Sequence, residues 1–242
     1  MKALILLHGA LGAKDQLQPL ADTLQDGFSV HSINFSGHGG TAFPSKPFSI
    51  DLFAHDVLQY MQQHQLENAS VFGYSMGGYV GMYLAKHFPE KIAALVTLAT
   101  KYHWNAVIAE KEIKMLDPAT IQEKVPAFAK ELAMRHAPQD WKELLFRTRE
   151  LLTSLGTQSA LNDADIRSIS SPCLLMLGDR DKMVTLDETV IVYKQLENAS
   201  LAVLPGTAHP LEKADVSLLA FFIRRFIIQR DNKTAGVKLL KT

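Results

Sequence analysis

A single cysteine, Cys173, occurs in 242 residues, so no intramolecular disulfide can form and nothing calls for an oxidising compartment. The apolar segment around it, Pro172 to Leu177, reads as a buried strand. Neither sign of charge prevails. Lys plus Arg and Asp plus Glu each number 25, the formal net charge is zero, and no overall field favours nucleic acid or an anionic membrane. No apolar run approaches the roughly 20 residues that span a bilayer. The N-terminal Met1-Lys2-Ala3-Leu4-Ile5-Leu6-Leu7 is too short for a signal peptide and lacks a small-residue cleavage pattern. It reads better as a buried strand, and a cytoplasmic protein is expected. Internal repeats and low-complexity segments are missing. The histidines form no recognisable ligand cluster and no dinucleotide fingerprint is found, so neither metal nor cofactor is expected.

What is present is a sizeable apolar fraction, 47%, typical of a soluble core, in a length that suits one domain with room for an inserted subdomain. Short β-type runs recur at Ala3–Leu7, Phe28–Asn34, Ala69–Gly73, Ala93–Ala99, Cys173–Gly178 and Ser200–Leu204, with helical patterns between them. That alternation predicts an α/β fold with a parallel sheet and crossover helices on both faces. Several runs are apolar throughout, as strands covered on both sides must be. Between the fourth and fifth runs lies an interval, roughly Lys101 to Arg167, much longer than one crossover needs. It predicts helices over Asn105–Leu116, Ala119–Ala137 with an interruption at Pro126, and Trp141–Leu155, the last stopped by Gly156. We read residues 101–167 as a helical cap inserted into a core of residues 1–100 and 168–242; the competing reading is that these helices thicken one side of the core. A final helix is expected over about Ala214 to Gln229, and the last dozen residues, polar and basic, are expected to fray or fold back weakly.

Residues 73–78 read Gly73-Tyr74-Ser75-Met76-Gly77-Gly78, directly after a predicted strand and before an apolar helical stretch to about Phe88. This is the G-x-S-x-G nucleophile elbow in its strand–turn–helix setting. Tyr74 and Met76 separate it from a G-x-G-x-x-G dinucleotide loop. The bland alternative is a glycine-rich turn with an N-capping serine. A serine hydroxyl needs a base to take its proton, and in this arrangement the partners follow in the order Ser, Asp or Glu, His. Of the histidines after Ser75, His87 ends the elbow helix, His136 falls in a cap helix, and His103 has no acid-bearing strand end between it and the serine. His209 lies in a loop just past the last strand and is the candidate base. Asp179 and Asp181 both qualify as the acid by position after the fifth strand. Asp181 is preferred because it sits further around the turn and can reach back. Donors for a tetrahedral oxyanion are expected from the Met76 N–H and, in the loop His8-Gly9-Ala10-Leu11-Gly12, from the Ala10 N–H in preference to that of Leu11. His8 is expected to organise that loop through hydrogen bonds.

Together these pieces resemble the α/β-hydrolase superfamily over nearly the whole chain. His8-Gly9 looks like its HG signature. Asn34-Phe35-Ser36-Gly37-His38-Gly39 is similar to its D-x-P-G-H-G turn, with Asn34 and Ser36 departing from the commoner Asp and Pro. Gly178 to Val184 resembles the G-x-x-D-x-x-V pattern, whose Asp falls on Asp181, and His209 matches the late G-x-x-H position. The resemblance implies a mostly parallel six-stranded sheet that lacks the hairpin commonly found ahead of the HG strand.

A serine at the elbow disfavours epoxide hydrolase and haloalkane dehalogenase chemistry. The resemblance favours hydrolysis of a carboxylic ester through an acyl-enzyme on Ser75, with a thioester close behind. Leu11, Tyr102, His103 and Trp104, with Met76, are expected to wall a largely apolar pocket for a small-molecule substrate with a small acyl group. Two other readings remain open: carbon–carbon bond hydrolysis or lyase chemistry on a small metabolite, with Lys101, Lys111 or Arg135 reading its polar groups, and a ligand-binding signalling role with slow turnover.

Overall fold

In a computed structural model, residues 1–239 are described, with side chains as far as residue 228. Six strands, β1 (Lys2–Leu7), β2 (Phe28–Ile33), β3 (Ala69–Tyr74), β4 (Ile92–Leu98), β5 (Cys173–Gly178) and β6 (Ala199–Leu204), form one sheet. Their order is β2-β1-β3-β4-β5-β6, and every neighbouring pair is parallel. The α/β class and the six-stranded sheet follow the sequence reading closely, with strand ends shifted by a residue or so.

Alternation along β1 shows how both faces are covered. Leu4 and Leu6 pack with Leu20 and Leu24 of α1 (Gln18–Leu24) and with Leu219 and Ile223 of α10 (Val216–Leu239). Ile5 and Leu7 point the other way, into a second core shared with Phe53 of α2 (Ile50–Gln63), Val80 of α3 (Met76–His87), Ile166 of α8 (Asp163–Arg167) and Val192 of α9 (Leu186–Gln195). Burying each such side chain stabilises the fold by roughly 1.5–3 kcal/mol. The backbone of α10 stays helical to Leu239, ten residues beyond the expected end at Gln229, so most of the tail expected to fray is helical; its last three residues lie outside the described residues. Among the described residues no helix is long and apolar enough to cross a membrane.

Between β4 and β5 the chain forms α4 (Ala106–Ile113), α5 (Pro118–Lys124), α6 (Pro126–His136) and α7 (Trp141–Thr157) ahead of α8. Pro126 divides α5 from α6, as its missing N–H requires. Asn105 and Asp117 cap α4 and α5 with side-chain oxygens on the N–H groups of Ile108 and Thr120. Gly156 does not stop α7, which continues through Thr157. A Cβ at Gly156 would stand 2.5 Å from the Ala109 Cβ, so the glycine serves close packing of α7 on α4. Leu144, Leu151 and Leu155 of α7 join the main core, whereas Ile121, Ala129 and Leu145 form a small cluster of their own, packed against Leu11 and Trp141.

The sheet reverses its winding between β1 and β3: β2 lies on one side of β1, and all later strands lie on the other. Loops leaving the C-terminal ends of β1 and β3 therefore diverge at a topological switch point, where α/β sheets open a crevice. Leu7 and Gly73 are paired in register there.

Candidate active site

Ser75 is the only residue between β3 and α3, at φ 52 and ψ −116. A non-glycine residue in that region stores of order 1–3 kcal/mol, so its surroundings must hold it. The Ser75 N–H donates to the Leu98 carbonyl at 2.8 Å, and the Thr100 hydroxyl donates to the Ser75 carbonyl at 3.2 Å. Gly77 allows α3 to start against the end of β1, since a Cβ there would sit 2.5 Å from the Leu7 and His8 carbonyl oxygens.

His209 lies in the loop after β6 with Nε2 3.4 Å from Ser75 Oγ. Its Nδ1 is 2.7 Å from Asp181 Oδ2. A carboxylate only accepts, so Nδ1 carries the proton and Nε2 is left as the acceptor facing the serine. The Asp181 side chain is 1% exposed, and its other oxygen accepts from the N–H groups of Met183 and Val184 at 2.8 and 2.9 Å. Burial alone would raise its pKa; the bonds from His209, Val184 and Met183 outweigh burial and hold the carboxyl below its ordinary value. Asp179 points elsewhere, accepting from the Thr207 N–H at 3.2 Å. Tyr74 donates its hydroxyl to the His209 carbonyl at 2.9 Å. The two aspartates thus do separate things: one bonds the imidazole and the other pins the loop that carries it.

The loop after β1 turns tightly, with the Gly12 N–H on the Gly9 carbonyl at 3.1 Å and Leu11 at φ 58. A Cβ on Gly9 would lie 2.9 Å from the Tyr74 ring and 3.2 Å from the Ser75 Cβ, so this loop rests directly on the elbow. Ala10 and Met76 both line the cavity above Ser75. His8 is fully buried, with Nδ1–H on the Gly9 carbonyl at 2.8 Å and Nε2 accepting from the Phe35 N–H at 3.2 Å. Burial pulls its pKa from 6.5 to about 4.

Asn34 and Ser36 also make sense of their departures from the family turn. Asn34 accepts from the Lys14 N–H at 2.7 Å and donates to the Gly39 carbonyl at 3.1 Å; an aspartate could not do the second. Ser36 places both its N–H and its hydroxyl on Asp56, at 2.7 and 2.8 Å, and proline has no N–H to give.

One residue set aside on sequence grounds joins this region. His136, at the end of α6, is completely buried. Its Nδ1 accepts from the Gly39 N–H at 3.0 Å, and its Nε2–H donates to the Leu11 carbonyl at 3.0 Å. One neutral imidazole therefore ties the end of α6 to the loops after β1 and β2. Its partners lie 97 and 125 residues away, and no local pattern announces them.

Above Ser75 and His209 opens a cavity of about 580 Å³. Its walls are mainly apolar, including Ile50, Leu116, Phe128, Leu151 and Val184. Leu11, Met76 and Trp104 line it. Tyr102 and His103 do not. Tyr102 turns into the core at 1% exposure with its hydroxyl 2.6 Å from Thr97 Oγ1, and His103 faces Asp163 of α8 at 3.8 Å. Lys101 and Arg135 reach the cavity and Lys111 is not among its lining.

A profile of the alpha/beta hydrolase fold matches residues 2–164. The chain is 26% identical to a pimeloyl-[acyl-carrier protein] methyl ester esterase of Neisseria meningitidis, covering 94% of each protein. It is 27% identical to 3-oxoadipate enol-lactonase 2 of Acinetobacter baylyi over 76% of this chain and 73% of that one. The solved structure of a meta-cleavage product hydrolase from Pseudomonas fluorescens superposes with a TM-score of 0.77 at 18% identity, covering 95% of this chain and 92% of the other; at that identity the likeness speaks for the fold.

Proposed function

The chain belongs to the alpha/beta hydrolase fold family, and on that premise we propose that it is a serine hydrolase of small carboxylic esters. The observation that carries this reading is the line of contacts from Ser75 Oγ to His209 Nε2 and from His209 Nδ1 to Asp181 Oδ2. In the first half-reaction Oγ attacks the ester carbonyl carbon while its proton passes to Nε2. The negative charge on the former carbonyl oxygen is met by the Met76 and Ala10 N–H groups. Each such donor contributes roughly 3–4 kcal/mol to transition-state stabilisation in comparable enzymes. Collapse breaks the ester C–O bond, and the imidazolium returns its proton to the departing alcohol. Water, deprotonated by His209, then attacks the acyl-enzyme and releases the acid. Asp181 holds the imidazole in the required tautomer and stabilises its cation.

The esterase and enol-lactonase among the relatives cleave, by their names, carbonyl–oxygen bonds, which favours an ester over a thioester or a carbon–carbon bond. The apolar walls and the cavity's size suit a small, mostly uncharged acyl group. In this reading α4 to α7 act as a cap over the site, on a core of residues 1–100 and 168–242. His136 is a positioning residue that fixes the Leu11 carbonyl and with it the oxyanion loop.

Hydrolysis of p-nitrophenyl esters from acetate to decanoate, by the wild type and by Ser75→Ala, tests the proposal. Turnover at short chain lengths that disappears in the variant is expected. Equal turnover by both proteins would refute the serine mechanism.

A further inference from the structure

A second polar group of residues opens on the same cavity and has no part in the reaction above. Lys101, just after β4, donates from Nζ to the Met183 carbonyl at 2.7 Å. It stands 3.7 Å from Glu188 Oε2 and 3.8 Å from Glu112 Oε1 of α4. Glu188 is also bonded to the Tyr102 N–H at 3.0 Å. Glu112 is different: its side chain is 6% exposed, it lines the cavity, and its carboxylate makes no hydrogen bond among the described residues. At 3.8 Å the ammonium is an ion-pair partner beyond hydrogen-bond reach. A carboxylate removed from water is costly unless both paired and hydrogen-bonded, so the cavity wall carries an acceptor still lacking its donor. Trp104 also lines the cavity, but its indole N–H is buried out of a ligand's reach. Two carboxylates against one ammonium leave the cluster with one excess negative charge.

We propose that Lys101 and Glu112 form a subsite for the polar end of the substrate. It takes an uncharged or cationic hydrogen-bond donor, a hydroxyl or a protonated amine, and rejects a carboxylate. This rests on the ester-hydrolase reading and gives its substrate a distal group. A hydroxyl donates a hydrogen bond to Glu112, and a protonated amine also cancels the excess charge. A carboxylate meets Glu112, whose paired ammonium is already committed to the Met183 carbonyl. The subsite and the site of reaction share one loop: Met183 accepts from Lys101 through its carbonyl and donates to Asp181 through its N–H. A group seated there is thereby held in register with Ser75.

The test is calorimetric binding of methyl hexanoate, methyl 6-hydroxyhexanoate, methyl 6-aminohexanoate and monomethyl adipate to the full chain carrying Ser75→Ala, which removes turnover. The hydroxy and amino esters are expected to bind at least about tenfold more tightly than the adipate, the scale of one charge-assisted hydrogen bond. Adding Glu112→Gln should close that gap, and adding Lys101→Met instead should widen it. Adipate binding as tightly as the amino ester, a gap unchanged by Glu112→Gln, or no binding of any ester overturns the proposal. Wild-type turnover separates the two readings. The binding order without Ser75-dependent hydrolysis sinks the esterase assignment alone; hydrolysis of all four esters without the order sinks the subsite alone.

Discussion

Acidification below pH 6.5 should destabilise this protein while leaving its covalent structure untouched, because the fold keeps several imidazoles uncharged. His8 dominates. Its one neutral tautomer satisfies both the Gly9 carbonyl and the Phe35 N–H, and a second proton on Nε2 would set two donors against each other. Burial lowers its pKa from 6.5 to about 4. The unfolded chain takes up its proton near 6.5 and the folded chain only near 4. Between those values the unfolded state binds more protons, so stability present above 6.5 is lost as pH falls, and the loss is complete below about 4. At about 1.36 kcal/mol per pH unit the whole interval corresponds to about 3 kcal/mol, of which about 2 kcal/mol is gone by pH 5. For a chain of this length that is a fall in Tm of roughly 4–8 °C. His38 and His136, also lowered by burial, act in the same direction. Asp56, whose carboxyl burial raises, opposes them in part by taking its proton earlier in the folded state. Thermal melts from pH 7.5 to 5 in the wild type and in His8→Gln measure the effect. A lower Tm at pH 7.5 but a flatter pH dependence is expected of the variant. A wild-type Tm that is level or rises from pH 6.5 to 5 would refute the reasoning.

Three further outcomes follow from named contacts. Asp181→Asn should lower kcat by about 10⁴, whereas Asp179→Asn, whose carboxylate meets the Thr207 N–H and Arg180 and not the imidazole, should cost far less; steady-state kinetics on one ester decides between them. Gly77→Ala forces a Cβ onto two strand-end carbonyls and should destabilise by at least about 1–3 kcal/mol in urea unfolding. His136→Leu strands the Leu11 carbonyl and the Gly39 N–H, at about 1–3 kcal/mol for each buried group. It should depress kcat more than it raises KM, and an equal effect on both would deny it a positioning role.

The strands were readable because a parallel sheet covered on both faces demands apolar runs such as Leu4–Leu7 and Leu174–Leu177, and the elbow because its glycines answer to steric contacts within one turn. Local sequence could not separate Asp179 from Asp181. Both are acidic and both follow β5, and the difference lies in which partner each carboxylate meets, Thr207 or His209, across a loop 28 residues away. Tyr102, His103 and Trp104 looked alike as pocket wall for a related reason. Ala99 takes φ 54 as the chain leaves β4, and the turn that follows sends Tyr102 inward to Thr97 while Trp104 faces the cavity. Gly156 read as a stop because the surface of α4 that it accommodates cannot be seen from α7 alone. His136 and Glu112 owe their surroundings wholly to tertiary contacts that α6 and α4 make with distant parts of the chain.

In the proposed mechanism Ser75 is a nucleophile activated by His209, whose imidazole Asp181 orients. The most direct measurement is the intact mass of the protein after exposure to an alkyl fluorophosphonate, with the modified peptide located by fragmentation. One adduct is expected, on Ser75, absent from Ser75→Ala and formed much more slowly in Asp181→Asn. An unmodified wild-type protein, or an adduct formed equally well without Ser75, would contradict it.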